Sequence, residues 1–133
     1  MRHIRTILFT LFFFAQVALA QSNLFIATTD FSTGSTALLP AGAEAAEVNL
    51  LGVHSDAVVR FHNDMIYVIN RLGQDNVIVL DAADPSTPVT QFSVGNGTNP
   101  QDIEVVAADR AYVTLYERSE VPVSYTHLRA HET

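Results

Sequence analysis

The sequence predicts an all-β protein stacked from repeated four-stranded antiparallel units. Three observations carry that prediction. Short runs of β-branched, aliphatic and aromatic residues alternate with clusters of Gly, Pro, Asn, Asp and Ser, as antiparallel strands alternate with turns. No window of helical length sustains a 3.6-residue apolar period. The stretch from Met65 to Leu115 also nearly repeats itself. Tyr67-Val68 returns as Tyr112-Val113, each time after a charged two-residue turn, Asp64-Met65 and then Asp109-Arg110. A fixed period of this kind marks an architecture built by stacking similar units.

The strands follow in order. Leu24 to Thr28 (LFIAT), Ser35 to Leu39 (STALL), Ala46 to Leu51 (AEVNLL) and Ala57 to Phe61 (AVVRF) come first. Met65 to Asn70 (MIYVIN), Asn76 to Asp81 (NVIVLD), Val89 to Val94 (VTQFSV), Ile103 to Ala107 (IEVVA) and Ala111 to Leu115 (AYVTL) come next. Between them stand the turn formers Ser32-Thr33-Gly34, His62-Asn63-Asp64, Gly73-Gln74-Asp75, Asp84-Pro85-Ser86 and Gly95-Asn96-Gly97. The alanine-rich stretch from Ala41 to Ala46 is the sole helix-like segment, and Gly42 weakens it, so it reads as the lead into a strand.

Tyr67-Val68-Ile69 and Val77-Ile78-Val79-Leu80 are continuous apolar runs. A half-exposed sheet would alternate, whereas a strand covered on both faces need not. Covering both faces of an antiparallel sheet requires a neighbour on each side, which a ring of radially stacked sheets, a β-propeller, provides. Sandwiches and barrels show more alternation and form the minor alternative. Aligning Tyr67 with Tyr112 lays Ala57-Val58-Val59 over Asp102-Ile103-Glu104. Phe25 stands in the place of Tyr67 in an earlier unit, with Ala37-Leu38-Leu39 over Val79-Leu80-Asp81. The spacings from 25 to 67 and from 67 to 112 are 42 and 45 residues, which suit a propeller blade of ~40–45 residues. The expected units are a partial blade over 24–51, a full blade over 52–94 and a partial blade over 95–121.

Tyr67-Val68-Ile69-Asn70, Asn76 to Asp81, Val94-Gly95 to Asn99-Pro100 and Ala111-Tyr112-Val113-Thr114 together resemble the YVTN-type β-propeller repeat. Two features depart from it. Ser55 stands where the family's loop proline would, and Tyr112-Val113-Thr114-Leu115 lacks the asparagine. The resemblance implies a ring that commonly has seven blades, of which this chain supplies roughly two and a half, since propellers have ~4–8 blades. It also implies that the first strand is the second of its blade, with the innermost strand supplied from a distant C-terminus. The same repeat serves unrelated roles, so it implies a fold more than an activity.

The two ends read differently. Residues 1–20 carry two arginines, an apolar run from Ile7 to Ala15 and a closing Ala18-Leu19-Ala20. This is the pattern of a secretory signal peptide cleaved before Gln21. The apolar run is about half the ~20 residues of a spanning helix, and no Cys follows the cleavage site. The expected product is secreted or periplasmic, not inserted in a membrane. At the other end, all eleven residues of 123–133 (VSYTHLRAHET) resemble the in-frame translation of a transposase-type sequencing adapter. The resemblance implies a non-native tail, so His127, His131 and Glu132 are given no metal-site reading.

The chain has a formal net charge of −7 and no Lys, and residues 21–122 contain four basic side chains, all Arg. Nucleic-acid binding needs clustered Lys and Arg, so that class is excluded. With no Cys, thiolate catalysis, iron–sulfur clusters and Cys-based zinc sites are excluded as well.

His54 and Asp56 are the sharpest site candidates for ligand binding, because a His and an Asp two apart in a loop between blades could ligate a metal or form an acid–base pair. The competing reading is a turn whose Ser and Asp satisfy backbone donors. Asn99 and Asp102 occupy the matching place in the next unit. Asp81-Ala82-Ala83-Asp84 lacks the oxygen count of a calcium loop, and Gly95-Asn96-Gly97 lacks the Lys and helix of a phosphate cradle. No catalytic set, metal site or cofactor is assigned. The expected function is therefore non-enzymatic: a binding or scaffold protein meeting a protein or small-molecule ligand at its inter-blade loops. The alternative is a truncated propeller enzyme, a lactonase-like hydrolase or a subunit of a quinone-cofactor dehydrogenase, with most of its site in absent blades.

Overall fold

The structure, a computed structural model, describes residues 22–119, 121, 123 and 124. The expected signal peptide and the greater part of the adapter-like tail lie outside the described residues. Ten strands follow one another: β1 (Leu24–Thr29), β2 (Gly34–Leu39), β3 (Glu47–Val53), β4 (Ala57–His62), β5 (Met65–Asn70), β6 (Asn76–Asp81), β7 (Asp84–Ser93), β8 (Pro100–Ala107), β9 (Arg110–Leu115) and β10 (Val123–Ser124). They form three antiparallel sheets ordered β1-β2-β3, β4-β5-β6-β7 and β8-β9-β10. The chain is all-β, as its turn and strand signals require.

The second sheet is sandwiched between the other two, and this explains its unbroken apolar runs. Met65, Tyr67, Ile69, Val77 and Val79 on one face pack with Ile103, Val105, Ala111 and Val113 of the third sheet. Ile66, Val68, Ile78 and Leu80 on the other face pack with Phe25, Leu51 and Val53 of the first. Every residue of β5 is buried, and all of β6 but Asp81. Successive side chains point to opposite faces, so two covered faces demand apolar residues at every position. Burying each such side chain contributes ~1.5–3 kcal/mol. Along the stack β1 lies against β4, β4 and β5 against β8, and β3 against β7.

The register corrects the alignment of the units by one residue in two places. Phe25 pairs with Leu38 and Tyr67 with Val79, so Leu38, not Ala37, takes the place of Val79. Val59 pairs with Val68 and Ile103 with Val113, so Ile103 takes the place of Val59, and Asp102 that of Val58. The physical cause is loop length in the first case and irregular pairing of β8 with β9 in the second, between Pro100 and Asp102 and between Val105 and Ala107. A one-residue slip exchanges the two faces of a strand, so these shifts keep apolar side chains inward.

Outside β5 and β6, every expected strand differs from its range at one end or both. β3 continues to Val53. The hairpin turn before β5 is Asn63-Asp64, both at positive φ, with Met65 already in the strand. That is the backbone of a type I′ turn, whose twist suits a two-residue hairpin. The turn before β9 is 108–109, with Arg110 already in the strand. Asp84-Pro85-Ser86 does not end a turn but opens β7, where pairing jumps from Asp81↔Asp84 to Leu80↔Pro88. Asp84 still accepts from the Ser86 hydroxyl at 2.6 Å, so the turn chemistry survives inside a bulge on an edge strand, where proline is tolerated. Val123–Ser124, in the adapter-like segment, pairs with Tyr112 and Ala111 as β10.

Gly34 opens β2 beneath the β3–β4 connection. A Cβ there would lie 2.5 Å from the His54 carbonyl oxygen, so only glycine fits.

Candidate functional site

Four connections meet at one end of the stack: 30–33, 54–56, 71–75 and 95–99. Polar side chains in and beside the last three bind one another across the sheets, while those of 30–33 bond within their own turn. Asn70, at the end of β5, accepts the His54 backbone amide at 2.9 Å and donates to Asn76 Oδ1 at 2.9 Å. His54 Nδ1 accepts the Asp56 amide at 3.1 Å, which leaves Nε2 to carry the proton of the neutral ring. The Asp56 carboxylate faces Arg71 instead of the imidazole, and the two form an ion pair. Arg71 Nε also donates to the Asp56 carbonyl at 3.1 Å, and Arg71 Nη1 donates to Gln101 Oε1 at 2.9 Å. Gln101 in turn donates to Asn99 Oδ1 at 3.0 Å, and Asn99 Oδ1 accepts the Leu72 amide at 3.3 Å.

The structure thus brings His54, Asp56 and Asn99 into one connected network, but it does not make His54 and Asp56 an acid–base pair. Asp102 stands apart on β8, bonded by both carboxylate oxygens to Arg60 of β4, at 2.7 and 3.1 Å. The Arg60 hydrogen bond holds its carboxyl below the usual carboxylate range. Among the described residues no group of three or more His, Asp or Glu is placed to hold a metal ion.

Sequence reasoning missed Asp75, which it read as one more turn former. Asp75 is 2% exposed and at positive φ. Its carboxylate accepts the amides of Gly97 at 2.6 Å and Asn99 at 2.9 Å, and its carbonyl accepts the Val94 amide at 3.0 Å. A loop of the third unit is therefore latched onto a buried acid of the second. The signal available in the sequence was an Asp immediately before a continuous apolar strand, which is also an ordinary turn pattern.

Beside this network lies a cleft of about 350 Å³ between the first and second sheets. His54, Ser55, Asn70, Gln74, Asn76 and Gln91 are among the residues that line it, and no Asp, Glu, Lys or Arg is among them. A second, more apolar cavity of about 620 Å³ opens between the same sheets near the opposite hairpins, lined by Phe25, Phe61, Ile66 and Ala82 among others. No protein-family model matches the chain, and no curated protein matches it.

Proposed function

We propose that the three sheets are successive blades of a YVTN-type β-propeller, and that the protein is an exported, non-enzymatic binding or scaffold protein. Its ligand face is formed by the connections 30–33, 54–56, 71–75 and 95–99. The repeat supports the blade reading: β1-β2-β3 stand in the positions of β5-β6-β7, and β8-β9 in those of β4-β5. The composition of residues 1–20 supports export. The observation that carries the non-enzymatic reading is the use of the ionised side chains. Asp56 and Asp102, the two acids among the candidate ligand-binding residues, are each bound by an arginine of the second sheet. A general base needs a free lone pair aimed at a reacting proton.

The test is turnover combined with melting. The purified chain is incubated with chromogenic lactone and ester substrates and with a dye-linked alcohol dehydrogenase assay. No turnover is expected, and Asp56→Ala is expected to lower the melting temperature. Turnover that disappears in His54→Ala or Asp102→Asn while the melt is unchanged would overturn the reading. Export is checked by N-terminal sequencing after bacterial expression, with Gln21 as the expected first residue.

A further inference from the structure

Phe31 is the most exposed large apolar residue among those described, at 94%, and it sits at φ 71°, a region that bulky side chains rarely adopt. Such strain persists only where the surroundings fix it, and it concentrates at functional positions. Here the surroundings do fix it. The Asp30 carboxylate accepts the amides of Ser32 and Thr33 at 2.8 and 2.6 Å and the Thr33 hydroxyl at 3.2 Å, and the Phe31 amide donates to Thr29 Oγ1 at 2.9 Å. The next two residues, Ser32 and Thr33, line the polar cleft. Across it, the 71–75 turn repeats the device: Leu72 is 59% exposed at φ 46°, two residues before the cleft residue Gln74.

We propose that this cleft, with the exposed Phe31 next in sequence to its lining residue Ser32, is a binding site for a neutral carbohydrate. The inference rests on the binding reading above and supplies its ligand class. Sugar hydroxyls both donate and accept, and the cleft offers groups that do the same. The side chains of Ser55, Gln74 and Gln91 and Nε2 of His54 have no hydrogen-bond partner among the described residues, and all four border the cleft. The absence of Asp, Glu, Lys and Arg from the lining disfavours carboxylates, phosphates and ammonium groups, which need an opposite charge when desolvated. A volume of about 350 Å³ falls within the range of small-molecule sites. The exposed Phe31 ring supplies the apolar face on which the C–H side of a pyranose rests, as one end of an amphipathic ligand must.

The test uses the full chain and three soluble probes, cellotetraose, maltotetraose and chitotetraose, in a ¹H–¹⁵N titration. At least one probe is expected to shift the Gln74 and Gln91 side-chain amides and the Ser32 and Thr33 backbone amides. Phe31→Gly suits the positive φ and is expected to fold with an unchanged or higher melting temperature, yet to bind about tenfold more weakly, which corresponds to ~1.4 kcal/mol. Gln91→Ala, on an exposed strand position, is expected to weaken binding as well. No shift with any probe, shifts confined to residues elsewhere, or equal affinity in both variants would overturn the carbohydrate assignment without touching the wider binding reading. Cleavage of a probe would overturn that wider reading instead.

Discussion

Asp75 shows how one side chain ties two units together. Removing its carboxylate takes the acceptor from the Gly97 and Asn99 amides, and a hydrogen bond to a charged group contributes ~1.5–3 kcal/mol. Asp75→Ala is therefore expected to lose about 2–4 kcal/mol in urea unfolding, and Asp75→Asn, which keeps one acceptor, less. The Arg60–Asp102 pair contrasts with it. Both side chains are about half exposed, at 48% and 47%, and exposed ion pairs contribute only ~0–1 kcal/mol. A double-mutant cycle should return a coupling below about 1 kcal/mol that shrinks in high salt. Because Arg60 holds the Asp102 carboxyl below its ordinary range, the pair stabilises the fold above about pH 4 and the contribution is lost as pH falls through the lowered value. Asp102→Asn should flatten that part of the acid limb. Neither acid announced its role in the sequence, where Asp75 resembled a turn and Asp102 a loop ligand. Their partners, Gly97 and Arg60, lie 22 and 42 residues away, beyond the reach of local pattern.

The central strands β5 and β6 carry the core. Val79 and Leu80 are fully buried on opposite faces of β6, and leucine truncations in such settings cost ~2–5 kcal/mol. Leu80→Ala should fall in that range by denaturant unfolding, while Val89→Ala on the exposed side of β7 should stay within ~0.5 kcal/mol. These two central strands were fully legible, with expected and observed bounds identical, because two covered faces leave an unmistakable apolar run. β7 was not. Its first residues spell a turn, and only the bulge that pairs Leu80 with Pro88 lets them join the sheet. The phase of β2 was hidden for a related reason: the β1–β2 and β5–β6 connections differ in length, and no single residue marks the difference. The inter-unit loops were legible as loops, but which side chains bind across them was not.

The outer strands of each of the three sheets are paired on one side only. β1 has a partner on one side only, and Leu24 and Phe61 near it are 54% and 64% exposed. An unpaired edge beside apolar side chains is a template for association. Residues 21–121, produced without the first 20 residues, are expected to self-associate with rising concentration in sedimentation velocity, and Phe61→Lys to reduce that association. A sharp, concentration-independent monomer would contradict this expectation.

The claim on which the rest depends is that the second sheet is the covered centre of a stack of repeated sheets. Amide hydrogen exchange of the full chain reads it out strand by strand, because protection follows burial and pairing. The slowest amides should fall in β5 and β6, followed by β8 and β9, with β1 and β10 the fastest. Equal protection across the three sheets, or slower exchange in β1 and β2 than in β5 and β6, would contradict the stacked arrangement.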